Sequence, residues 1–163
     1  MNKYRRYMIL LGAFLSLPVS AFNFEKKENN YKAALNEAVK AFGKNTLIES
    51  EDVTLNFGRT KPKNMYGESI YLVENNAVVP FTVRTKSNDF NSLLLLSQNP
   101  VTSETTIIAK YNVNESFAGK ISGRIKLNCK NHRCKIWAIT NNKHGFKYTN
   151  KQAGFFGCIY SEG

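Results

Sequence analysis

A chain of 163 residues, 42% hydrophobic and with only four prolines, is the length of one domain and can bury a core without staples, which sets aside intrinsic disorder. Formal charge is +11; setting aside Lys3, Arg5 and Arg6 as leader residues leaves 20 basic against 12 acidic residues, or +8. The lysines are scattered along strand-like segments without a recognition helix or an aromatic-interleaved basic cluster, so nucleic acid is not the expected partner, and an anionic membrane face, an acidic protein or an anionic small molecule remains.

Residues 1–21 read as a signal peptide: a charged start, an apolar stretch from Tyr7 to Val19, and the small-residue exit Val19-Ser20-Ala21 before Phe22. The stretch is 13 residues long and contains Pro18, whereas a helical membrane span takes about 20, so no membrane anchor is expected. Arg5-Arg6 followed by Tyr7-Met8-Ile9 is similar to a twin-arginine export pattern, with Tyr4 in place of the usual Ser or Thr and Leu10 in place of Lys. The same two arginines also serve as plain leader charge, and both readings stand. Either route leads to an oxidising compartment outside the cytoplasm, where cysteine pairs tend to become disulfides.

Beyond a polar lead-in, Tyr31, Leu35, Ala38, Val39 and Phe42 recur at helical spacing and Gly43 supplies a stop, which predicts one amphipathic helix. From Val53 the period becomes two: Val53-Leu55-Phe57, Ile70-Leu72, Val79-Phe81-Val83, the Leu93–Leu96 run, Ile107 to Val113, Ile121 to Leu127, and Ile136–Ile139. Turn residues fall between them at 58–67, 74–76, 87–89, 99–100, 114–119 and 141–145. About seven short strands at this spacing predict a mainly β fold, an immunoglobulin-like antiparallel β-sandwich with one N-terminal helix, over residues 22–152. Trp137, in mid-strand, is expected in the core rather than in a ligand site. The Leu93–Leu96 run is more apolar than a one-sided strand needs, which points to a dimer interface.

Three cysteines leave one over if a single pair forms. Cys129 and Cys134 bracket a four-residue segment, Lys130 to Arg133, between two strand-like runs. A hairpin there would set their side chains opposite one another at a separation a disulfide closes. Cys129, His132 and Cys134, with His144, also offer a metal-ligand set, but the spacing is not a common zinc pattern, so the disulfide is preferred and no metal is assigned. Cys158 is then unpaired, on a glycine-flanked tail (residues 153–163, with Gly154 and Gly157) past the last strand-like run. It is an incidental thiol, a partner for some other cysteine, or one put to use, and an exposed thiol outside the cytoplasm is a liability that favours use. No nucleophile elbow, phosphate loop, zinc-protease motif, carboxylate pair or Cys-x-x-Cys-His haem motif is present, so neither a cofactor nor an enzymatic activity of the chain acting alone is expected.

Several of these segments are similar to one known family. Ala38 to Gly43 with Ile48 to Leu55, then Glu74-Asn75-Asn76-Ala77-Val78-Val79-Pro80 with Asn76 where glycine is usual, then Asn99-Pro100, Gly119 to Leu127 and Gly145, resemble the SoxY family, the sulfur-carrier subunit of bacterial thiosulfate oxidation. The resemblance implies an immunoglobulin-like sandwich, a heterodimer with a SoxZ-like subunit, a twin-arginine leader, and thiosulfate-derived sulfur held covalently on a C-terminal cysteine for haem-containing and hydrolytic partner enzymes. Cys158 takes that position, with Gly154 and Gly157 in the arm. The family ending is Gly-Gly-Cys-Gly-Gly, whereas here Phe156, Ile159 and Tyr160 replace flanking glycines and the chain runs on to Gly163. Two rival readings remain: a non-catalytic sandwich subunit, or diverged carrier, in which Cys158 is idle, and a metal-binding module on Cys129, His132 and Cys134.

Overall fold

The computed structural model describes residues 19–43, 46–50, 52–58, 63–65, 68–73, 76–86, 91–112, 119–129, 133–142 and 145–152. Among them the chain runs from one helix, α1 (Val19–Phe42), through β1 (Leu47–Glu49), β2 (Val53–Phe57), β3 (Lys63–Met65), β4 (Glu68–Leu72), β5 (Val78–Thr85), β6 (Ser92–Gln98), β7 (Thr105–Asn112), β8 (Lys120–Lys126) and β9 (Arg133–Asn142) to β10 (Gly145–Thr149). The strands form a seven-stranded and a three-stranded sheet.

Strand β9 is the spine of the larger sheet. One of its edges takes β6 antiparallel, from Ser92↔Asn141 to Gln98↔Lys135, with β7 beyond. Its other edge is shared by β10, which ends at Thr149↔Ala138, and by β4 at Tyr71↔Cys134. β1 pairs with β10 in parallel, the exception to the antiparallel pattern. Gly145, at φ +142°, lies where a Cβ would come 3.3 Å from the Thr46 carbonyl oxygen, so this close approach favours glycine. The smaller sheet is β2-β5-β8, antiparallel throughout.

Two cores share the larger sheet. Val53, Leu55, Phe57, Phe81, Val83, Ile121 and Ile125 of the small sheet meet Leu93, Leu95, Cys134, Ile136 and Ala138 of the large one. On its opposite face, Leu94, Leu96, Trp137, Ile139, Phe146 and Tyr148 lie under Ala34, Ala38 and the half-buried Tyr31, Leu35, Val39 and Phe42 of α1. Every residue of β6 is buried. A strand covered on both faces reads as a continuous apolar run, and this corrects the expectation that Leu93–Leu96 feeds a dimer interface: α1 and the small sheet already cover it.

The polar positions under the helix are closed by hydrogen bonds, as burial requires. Trp137 Nε1 donates to Gln98 Oε1 at 2.9 Å, and Gln98 Nε2 donates to the Asn30 carbonyl and to Thr105 Oγ1, each at 2.8 Å. Asn30 Oδ1 accepts from Ser103 Oγ at 2.6 Å. Lys135, fully buried, holds its ammonium 4.2 Å from the Trp137 ring centroid, a cation–π contact. Trp137 is thus a core residue, as expected.

The helix begins twelve residues before Tyr31, where the periodic pattern starts, so the polar lead-in is helical as well. Its charges are accommodated on the exposed face: Glu28 pairs with Lys32 at 3.1 Å, and Lys26 Nζ donates to the Val101 carbonyl at 2.7 Å. The expected processing point after Ala21 lies in the first turn of α1. Gly43, at φ +71°, ends the helix, its N–H donating to the Val39 carbonyl at 2.8 Å. The segment expected as one long turn, 58–67, contains β3, which pairs with β4. No helix among the described residues is long and apolar enough to cross a membrane.

Because β6 is covered on both sides, Leu94→Ala and Leu95→Ala should each cost roughly 2 to 5 kcal/mol in urea unfolding. A near-neutral effect at either position would mean that one of the two covers is not in place.

Candidate functional site

The candidate site is the segment that follows β10, up to Gln152, together with the Cys129–Cys134 disulfide. After β10 the chain buries Asn150, exposes Lys151 and brings Gln152 into a parallel bridge with Leu55 of β2. It therefore crosses from the large sheet to the small one before the described residues end. Lys151 pairs with Glu49 at 3.6 Å and Lys147 with Asp52 at 3.3 Å, tying the root to β1 and to the β1–β2 connection. The exposed Lys151–Glu49 pair contributes about 0 to 1 kcal/mol, so the part-buried Lys147–Asp52 pair, the backbone bridge and the burial of Asn150 do most of the anchoring.

The direction of the root follows from register. β10 runs antiparallel to β9, so its end points toward the start of β9, where Cys134 lies. The parallel bridge then sets Gln152 beside Leu55 of β2. Gly154, Gly157 and Cys158 lie outside the described residues.

Cys129 and Cys134 are disulfide-bonded, with Cα atoms 5.4 Å apart. The pairing is the one expected, but its setting is not a hairpin between neighbouring strands. β8 belongs to the small sheet and β9 to the large one, so the bond clasps a crossover between the two layers. Both residues belong to the sandwich core and are almost fully buried. Ser97 Oγ lies 3.5 Å from Cys134 Sγ, and a shallow depression beside the bond is lined by Ser97, Glu104, Asn128 and Arg133. The crossover is held further by Leu127, which accepts from Asn76 N–H at 2.7 Å and donates to the Ala77 carbonyl at 2.9 Å. Asn76 has φ +64°, a left-handed conformation that glycine and asparagine tolerate best. Asparagine at this position is thus compatible with the turn for which the resembling pattern uses glycine.

Bonded to each other, the two sulfurs offer no thiolate to a metal. His132 and His144 lie outside the described residues, and among the described ones no group of three His, Cys, Asp or Glu residues could hold a metal ion. The Gln152–Leu55 bridge, the Lys151–Glu49 pair and the Lys147–Asp52 pair were missed by sequence reasoning. They join residues about a hundred positions apart and leave no local signal.

No protein-family model matches the chain, and no curated protein matches its sequence. Among solved structures it is similar to the sulfur carrier protein SoxY from Chlorobium limicola f thiosulfatophilum, with a TM-score of 0.53 and 14% identity over 77% of this chain and 94% of that one. The likeness is one of fold. It defines the class as a mainly β sandwich with one helix, an architecture shared with a sulfur carrier protein.

Unreduced peptide mapping should recover Cys129 joined to Cys134; both thiols free, or either joined to Cys158, would contradict the clasp. Replacing both cysteines by alanine should lower stability by about 2 kcal/mol for so short a loop, read from the unfolding midpoint.

Proposed function

We propose that the chain is a periplasmic sulfur carrier, with Cys158 as the point of covalent attachment, residues 153–163 as its arm, and residues 1–21 as a leader removed on export. The observation that carries this reading is the conjunction of a fold shared with a sulfur carrier protein and a lone third cysteine placed six residues beyond the anchored Gln152. Six residues of extended chain span about 20 Å. That length would let the sulfur reach into a neighbouring protein while the sandwich stays outside.

The loading step forms one bond. The Cys158 thiol loses its proton, its sulfur joins the outer sulfur of thiosulfate, and two electrons pass to a haem-containing partner that acts as oxidant. The product is a thiosulfonate, Cys–S–S–SO3−, whose terminal sulfonate a hydrolytic partner can release as sulfate. The chain supplies the nucleophile and its carriage, and the redox chemistry belongs to the partner. A SoxZ-like subunit is proposed as the companion of the sandwich. Phe156, Ile159 and Tyr160 make this arm bulkier than a glycine arm, so the partner pocket that accepts it should be correspondingly wider or apolar.

The test is intact mass followed by peptide mapping of protein recovered from thiosulfate-grown source cells. A thiosulfate-derived adduct is expected on Cys158 and should be absent from Cys158→Ser, which cannot form the disulfide-type bond. Cys158 recovered unmodified, or thiosulfate turnover at the native rate in the serine variant, would overturn the reading.

A further inference from the structure

The outward positions of the small sheet carry cations and no acid. Burial alternates cleanly along its strands, so Val78, Pro80, Thr82 and Arg84 of β5 and Lys120, Ser122, Arg124 and Lys126 of β8 point away from the core. The register sets them in rows: Arg84 opposite Lys120, Thr82 opposite Ser122, Pro80 opposite Arg124, and Val78 opposite Lys126. Thr82 Oγ1 and Ser122 Oγ are hydrogen-bonded at 3.0 Å in the middle of the face. Thr54 and Asn56 of β2 continue the face without charge.

One feature of this face costs stability in the isolated chain, and a second leaves apolar surface in solvent. Arg84 and Lys120 are like charges directly across a strand pair, which is unfavourable. Val78 is 60% exposed beside Pro80, an apolar spot flanked by Arg124 and Lys126. Among the described residues the ion pairs lie elsewhere, on α1 (Glu28–Lys32, Glu37–Lys40) and at the arm's root (Glu49–Lys151, Asp52–Lys147). The four cations of the small sheet are left facing solvent.

We propose that this face docks the acidic surface of the protein that acts on Cys158, an inference that rests on the carrier reading for the identity of the partner though not for the docking itself. A complementary acidic surface would relieve the Arg84/Lys120 repulsion and speed encounter, and an apolar spot within a charged surround has the composition of a protein contact. Lys120 and Lys126 lie six residues apart on β8, about 20 Å along the strand. A small anion cannot meet both ends of such a row. The arm's root is continuous with the face: Gln152 bridges to Leu55 of β2, the edge strand of the same sheet. Three strands span about 10 Å, within the arm's reach of about 20 Å. A partner seated on β5 and β8 would therefore receive the thiol without the sandwich turning.

The experiment places a photo-crosslinking benzoylphenylalanine at position 122 of the full-length chain in its source cells. The expected product is a crosslink to a protein of acidic isoelectric point, which after identification and purification binds the chain with an affinity that falls as salt rises from about 50 to 300 mM. Reversing the four charges (Arg84→Glu, Lys120→Glu, Arg124→Glu, Lys126→Glu) should weaken that binding about tenfold or more. The single Arg84→Glu, which turns the like-charge pair into an opposite one, should weaken it less and leave the melting temperature equal or higher. Cys158→Ser should retain the crosslink, since docking precedes the chemistry. A crosslink that survives in the serine variant while wild-type Cys158 proves unloaded would overturn the carrier reading and leave the docking face standing. No crosslink, a crosslink only to lipid or nucleic acid, or binding unchanged by the four reversals would overturn the docking face.

Discussion

Coverage of the large sheet on both faces is the constraint from which the remaining architecture follows. β9 and β6 send alternate side chains to opposite sides, so Ile136 and Leu95 enter the sandwich core while Trp137 and Leu96 enter the core beneath α1. Neither layer can be removed without exposing a row of large apolar side chains to water, which is unfavourable by roughly 25 cal/mol for each Å². The helix is therefore a third layer of the domain, and the Asn30–Gln98–Trp137 hydrogen bonds fix where along the sheet it lies. A buried polar set of this kind favours one placement, because sliding the helix would leave donors and acceptors without partners.

The two sheets are joined covalently and by backbone at two separate points. The Cys129–Cys134 bond clasps the β8–β9 crossover beyond the end of β8, and Gln152 carries the chain from β10 to Leu55 of β2, in register with Val83 and Ile121. Both features restrain one layer against the other. A tethered group acts over a distance set by its last fixed residue, so a firm root at Gln152 defines the working radius of anything attached beyond it.

The charge distribution has the same polarity as this anatomy. Four carboxylates, Glu28 and Glu37 on α1 and Glu49 and Asp52 around the root, pair with Lys32, Lys40, Lys151 and Lys147. The outer face of the small sheet keeps its cations unneutralised by any described carboxylate, in the same sheet to which Gln152 bridges. A net positive chain could have spread its excess evenly; here four of the positive groups share one flat surface.

Alternation and turn chemistry in the sequence were enough to determine the class of the fold, most strands from Val53 to Ile139, the stop at Gly43 and the core position of Trp137, because each rests on neighbours within a few residues. The cysteine spacing likewise indicated the pair that bonds. Tertiary structure decided what distance along the chain conceals. Short strands β1 and β3 lack enough residues to show a period, β10 follows a loop that hides its start, and the polar beginning of α1 is helical through its ties to Val101 and Pro100. The same holds for Leu93–Leu96: an apolar run states that both faces are buried, but only the assembled layers show that α1 and the small sheet bury them. Cross-strand register, which brings Arg84 beside Lys120 and Gln152 beside Leu55, is set by pairings between segments tens of residues apart, and no local pattern encodes it.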